Sequence, residues 1–79
     1  MKIPRDVSAD SLVNQLKRDG YVIVRQKGSH IRLTKVTILG EHHITVPNHQ
    51  VIKIGTLYDI VSDVCKYNKI DEREFYNKL

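Results

Sequence analysis

Apolar residues change their spacing twice along this chain, and the changes mark out its elements. From Ser8 the pattern is helical: Ala9, Leu12, Val13 and Leu16 share one face, behind a serine suited to the N-cap. Gly20 follows at the C′ position, where a helix closes through a left-handed residue. The spacing then turns strand-like. YVIVRQK is β-branched and aromatic and stops at Gly28-Ser29. HIRLT alternates, Ile31 and Leu33 against His30, Arg32 and Thr34; HHITV alternates again, Ile44 and Val46 against His43 and Thr45, until Pro47 ends it. Between them VTILG either continues the second strand or bends away, with a turn expected at Gly40-Glu41. Helical spacing returns with Leu57, Ile60, Val61, Val64 and Cys65, opened by Thr56 and Asp59 at capping-box spacing. IDEREFYNKL predicts a short third helix, with Asp71 and Glu74 at N-cap and N3 and with Ile70 and Phe75 as a hydrophobic staple.

The expected order is therefore α-β-β-β-α with a helical tail, an α+β single domain over residues 1–79. Loops this short make the strands an antiparallel three-stranded sheet. Both long helices can cover one sheet face and leave the other free. That free face would carry His30, Arg32, Thr34, His43 and Thr45. A chain of 79 residues has a thin core, so every apolar segment is expected to be needed for it.

Charge adds a location. The net charge is +4, and Arg25, Lys27, Arg32, Lys35 and Lys53 fall in one central stretch with Glu41 alone against them. All four histidines lie in that stretch too. Such a basic field favours a polyanion, and nucleic acid is the expected one. The single cysteine, Cys65, sits in an apolar helical stripe and reads as core. With no disulfide possible within the chain, no apolar leader in MKIPRDVSAD and no run long enough to span a bilayer, a cytoplasmic protein without membrane association is expected.

One residue in the basic stretch asks for a chemical reason. His30 follows the Gly28-Ser29 turn directly, among Arg25, Lys27, Arg32 and Lys35. RNA carries its own nucleophile, the 2′-hydroxyl, so its cleavage needs only a positioned base and cations for the developing phosphorane charge. Imidazole titrates near neutrality and suits that task, and the glycine lets backbone amides approach a phosphate. The competing reading is a solvated histidine on a polar strand. Ser29 as a nucleophile lacks an acidic partner to orient its base. A metal site from His42, His43 and His49 is disfavoured, because adjacent strand histidines face opposite ways and few acids stand near. Lys53, before the second helix, is suited to an anion at the helix N-terminus or to plain solvation.

The stretches GYVIVRQKGSH, ITVPNH and KIGTLYDIV, in that order, closely resemble the HicA family of toxins from bacterial and archaeal toxin–antitoxin pairs. The likeness runs through Gly20-Tyr21, Arg25-Gln26, Gly28-Ser29-His30, Val46-Pro47, His49 and Gly55-Thr56-Leu57 and extends over nearly the whole chain. It implies a fold like that of a double-stranded-RNA-binding domain and metal-independent cleavage of mRNA, with no cofactor. It makes His30 the essential histidine, and a HicB-type antitoxin, encoded beside the toxin, the partner that blocks the active face. Arg25, Lys27, Gly28, Ser29, Arg32 and Lys35 are the expected RNA contacts, on charge and position. The chain would be a monomer alone or a hetero-oligomer with the antitoxin. Two other readings stay open on the residues: a non-catalytic RNA-binding module of the same fold, and a domain that binds only a protein.

Overall fold

The computed structural model describes residues 2–79. Its elements are α1 (Ala9–Arg18), β1 (Val22–Lys27), β2 (His30–Thr37), β3 (Gly40–Pro47), α2 (Ile54–Asn68) and α3 (Glu72–Asn77). The strands form one sheet in the order β1-β2-β3, antiparallel throughout. This is the expected α+β architecture.

Helix α1 begins and ends on its predicted residues. The Ser8 hydroxyl accepts from the Ser11 N–H at 3.1 Å, which satisfies one of the free donors of the first turn. At the other end the Gly20 N–H donates to Lys17 O and the Tyr21 N–H to Leu16 O, at 3.1 and 3.0 Å. These two bonds make a Schellman closure, with Gly20 at φ +101. The closure drops Tyr21 straight into the core, where it is 1% exposed.

Ile31, Leu33, Ile44 and Val46 supply the buried side of the sheet, and Leu12 and Leu16 of α1 meet the α2 stripe Leu57, Ile60, Val61, Val64 and Cys65 around it. Phe75 joins through α3, whose N-cap Asp71 accepts from the Glu74 N–H; Ile70 is partly buried against the same core cluster.

Three expectations needed revision. Helix α2 starts at Ile54, not at Thr56: Lys53 is its N-cap, without a side-chain bond, and the Leu57 N–H donates to Lys53 O at 2.9 Å. The start is fixed instead by Ile52, buried and donating its N–H to Val7 O at 2.8 Å. The second turn lies at Ile38-Leu39, because Val36 and Thr37 extend β2 and Thr37 pairs with Gly40. Gly40, at φ +116, closes that turn. Finally, β1 gives nothing to the core. All six of its residues are exposed, since the helices pack over β3 and leave β1 as an edge beyond their cover.

Gly20→Ala is expected to cost about 1–2 kcal/mol, because its backbone is left-handed and a Cβ there would stand 3.1 Å from Lys35 Cε; urea unfolding measures it. A second expectation concerns alkali. Burial raises the Cys65 thiol from 9.0 to about 11 and the Tyr76 phenol from 10.0 to about 12, with Glu72 adding to both, and it raises Tyr21 as well. Below about pH 9 these groups are neutral in the folded and unfolded chains alike and favour neither. Above it the unfolded chain releases protons that the folded chain still holds, so stability falls as pH rises from about 9 to about 12. Urea midpoints should be level with respect to these groups below that window and decline through it.

Candidate nucleic-acid interface

Residues paired across antiparallel strands point to the same face, so the register sorts every side chain of the sheet. On the face away from the helices lie four rows: Lys27, His30 and Pro47; Arg25, Arg32 and Thr45; Val22, Thr34 and His43; and Val36 with Glu41. The first two rows depend on an irregularity. Between Ile23 and Arg25 the register shifts, and Val24 is the extra residue of a bulge. In an unbulged strand Val24 would stand opposite Arg32, and Arg25 and Lys27 would turn to the helix side.

The result is a hollow of about 520 Å³ lined by Arg25, Lys27, Gly28, Ser29, His30, Arg32 and Thr45. Three cations and an imidazole converge there with no carboxylate in the lining. His30 is the first residue after a two-residue turn whose leading glycine has φ +57, the arrangement of a type II′ hairpin. A Cβ on Gly28 would meet nothing within 4 Å, so the glycine serves the backbone angle and keeps the turn's surface bare. The turn is held from outside: the Asn48 N–H donates to Ser29 O at 2.6 Å. Thus the Pro47-Asn48-His49 segment steadies the loop that presents His30.

Residues 9–67 match the family described as HicA toxin of bacterial toxin–antitoxin systems. The chain belongs to the HicA toxin family. It is accordingly the toxin of a toxin–antitoxin pair, a family that implies an antitoxin partner. No curated protein and no solved structure matches it significantly. None of the toxin's helices, among the described residues, is long and apolar enough to cross a membrane.

His30 and five of the six expected contact residues thus share one hollow, joined by Thr45. Lys35 stands apart. It follows Ile31 and Leu33 in the alternation and lies on the helix side, where its Nζ donates to Asn68 Oδ1 at 2.5 Å, 5.8 Å from the centre of the Tyr21 ring. Its charge belongs to the seam between sheet and α2.

The other histidines have separate places. His42 is in that same seam, on the face opposite His43. Asn68 Nδ2 donates to the Tyr21 hydroxyl at 2.9 Å, so the Tyr21 proton goes to His42 Nδ1 at 2.6 Å. On the other side of the ring, Nε2 donates to Asp63 Oδ1 at 3.2 Å. The ring stacks on Tyr67, 4.2 Å between centres. His43 is on the free face, its Nδ1 2.8 Å from Thr34 Oγ1 and its Nε2 3.6 Å from Glu41. Thr34, expected on a solvated surface, is buried between its row neighbours. His43 lies four residues along β3 from the partner of His30, roughly 13 Å away, too far to share one phosphate with it. His49 lines a different depression with Ser8, Asp10, Asn48 and Gln50. Cys65 is buried and its thiol is held protonated, which leaves no nucleophile there.

These positions separate the histidines by stability. His42→Ala should cost about 1–3 kcal/mol, since Tyr21 and its neighbours lose a buried partner. His30→Ala should change stability by no more than about 0.5 kcal/mol. Denaturant titrations of the two variants check both values.

Proposed function

We propose that the toxin is an endoribonuclease that cuts mRNA with His30 as its proton-transfer group and without a metal ion. The observation that carries this reading is the convergence of His30 with Arg25, Lys27 and Arg32 in one carboxylate-free hollow beside a bare Gly-Ser turn. His30 takes the proton of the 2′-hydroxyl as its oxygen attacks the adjacent phosphorus. The bond from phosphorus to the 5′ oxygen breaks, and that oxygen leaves with a proton from water, since the hollow is open. The products are a 2′,3′-cyclic phosphate and a 5′-hydroxyl end.

The arginines supply paired N–H donors to the non-bridging oxygens, where charge grows in the transition state. Lys27 adds a point charge, and the Thr45 hydroxyl and the turn amides complete the donor set. Lys35 is left out of it, because its ammonium is occupied by Asn68. The face offers phosphate contacts and little base stacking. The chain's one phenylalanine and four tyrosines lie elsewhere: Tyr21 in the core, Tyr58 and Tyr67 on α2, Phe75 and Tyr76 on α3. Without a ring beside His30, the backbone and not the base sequence dominates recognition.

The test compares wild type with His30→Ala on labelled single-stranded RNA in EDTA. Loss of a general base should slow cleavage by roughly 10²–10⁴-fold, with RNA binding retained and a cyclic phosphate on the wild-type product. Equal rates would remove His30 from the chemistry, and cleavage that EDTA abolishes would end the metal-free reading. If neither protein cuts while both bind RNA, the toxin is a non-catalytic RNA-binding module; if neither binds, it acts on a protein.

A further inference from the structure

Three aliphatic side chains at the far end of the sheet do no work in the fold. Val36 is 71% exposed, Leu39 78% and Ile38 fully exposed. Two-residue hairpin turns ordinarily carry Gly, Asn or Asp; this one carries Ile38-Leu39, and no core lies near enough to need them. Nor is the turn loose. Thr37 Oγ1 accepts from the Leu39 N–H at 3.1 Å and shares a hydrogen bond with the Tyr67 hydroxyl at 2.9 Å, and that hydroxyl also donates to Gly40 O at 3.4 Å. The tip is braced against α2 and presented. Val22, paired with Thr34, is the diagonal neighbour of Val36 and extends the apolar surface along the free face.

We infer that this hairpin tip, Val36, Ile38 and Leu39 with Val22, is the anchor on which the antitoxin docks, at a distance from the hollow around His30. RNA is a poor occupant, because aliphatic chains neither stack on bases nor bind phosphate, and Glu41 shares the row with Val36. A second copy is also a poor fit. Laid over the face, it would bring Arg25, Lys27 and Arg32 against a surface whose only carboxylate in the strands is Glu41. The partner that fits has an apolar patch for the tip and carboxylates for the basic hollow. From His30 to Thr37 the strand runs seven residues, about 23 Å, a span that one ordinary interface of about 800 Å² per side covers. Such a partner is held by one end of the face and silences the other. Family membership alone supplies the antitoxin; RNA enters only as a control.

The experiment measures, by calorimetry and without RNA, the affinity of the purified toxin for the HicB-type protein encoded beside it. Ile38→Asp should weaken that affinity by about 10- to 100-fold, while melting temperature and binding of labelled single-stranded RNA stay at wild-type values. Ile38→Ser repeats the test without an added charge, should the aspartate disturb the turn. Antitoxin affinity unchanged in both variants would overturn the proposal. So would a loss of RNA binding in either, which would make the tip part of the RNA surface, or self-association of the toxin alone that Ile38→Asp abolishes. A toxin that fails to cut RNA leaves this measurement intact.

Discussion

A strand has a period of two, and the site rests on how that period is broken once. At Val24 the first strand spends one residue that its neighbour does not match. Everything before the break keeps the phase of a strand leaving the helix; everything after it is inverted, so that Arg25 and Lys27 join Arg32 and His30 on the same side. A bulge costs some pairing and twists an edge. Here it also assembles a cluster of like charge that no regular strand would hold at these residues. Like charges this close repel, and they are tolerated because all of them are exposed, where water screens them.

The opposite face follows another logic. Lys35, Asn68, Tyr21, His42 and Asp63 form a continuous chain of hydrogen bonds between the hairpin and the last turns of α2. Each polar group entering this region finds a partner, which is the condition for burying it at all. Two adjacent residues, His42 and His43, therefore have unrelated surroundings. One belongs to the packing of the molecule, and the other to its open surface.

Much of this was legible in the amino-acid order, for identifiable reasons. Ser8, Gly20 and Asp71 act through short-range rules that the neighbours alone decide, and all three held. The apolar stripes held too, because burial follows periodicity. The Gly28-Ser29 turn and the histidine behind it were visible for the same local reason. What escaped was set at longer range. The bulge at Val24 leaves no mark in VIV, since every residue there suits a strand equally. Lys35 read as one more cation until the alternation of β2 carried it past Thr34 to the other side. Thr56 has a capping residue's chemistry, yet the contact of Ile52 with Val7 began the helix earlier. Gly40 marked a turn correctly in kind and was displaced by two residues, because its positive φ closes the turn and does not centre it.

The exposure of every residue in β1 has a consequence for how this protein changes over time. Two of the seven residues that line the hollow, Arg25 and Lys27, stand on a strand that the core does not use, so substitutions there alter the open face and hardly touch folding. The interior answers to a different set of positions, drawn from the helices, the two inner rows of β2 and β3, and Val7, Tyr21 and Ile52 in the connections. Lineages can therefore rewrite the working edge of the sheet while the body beneath it stays fixed, and the two are free to diverge at different speeds.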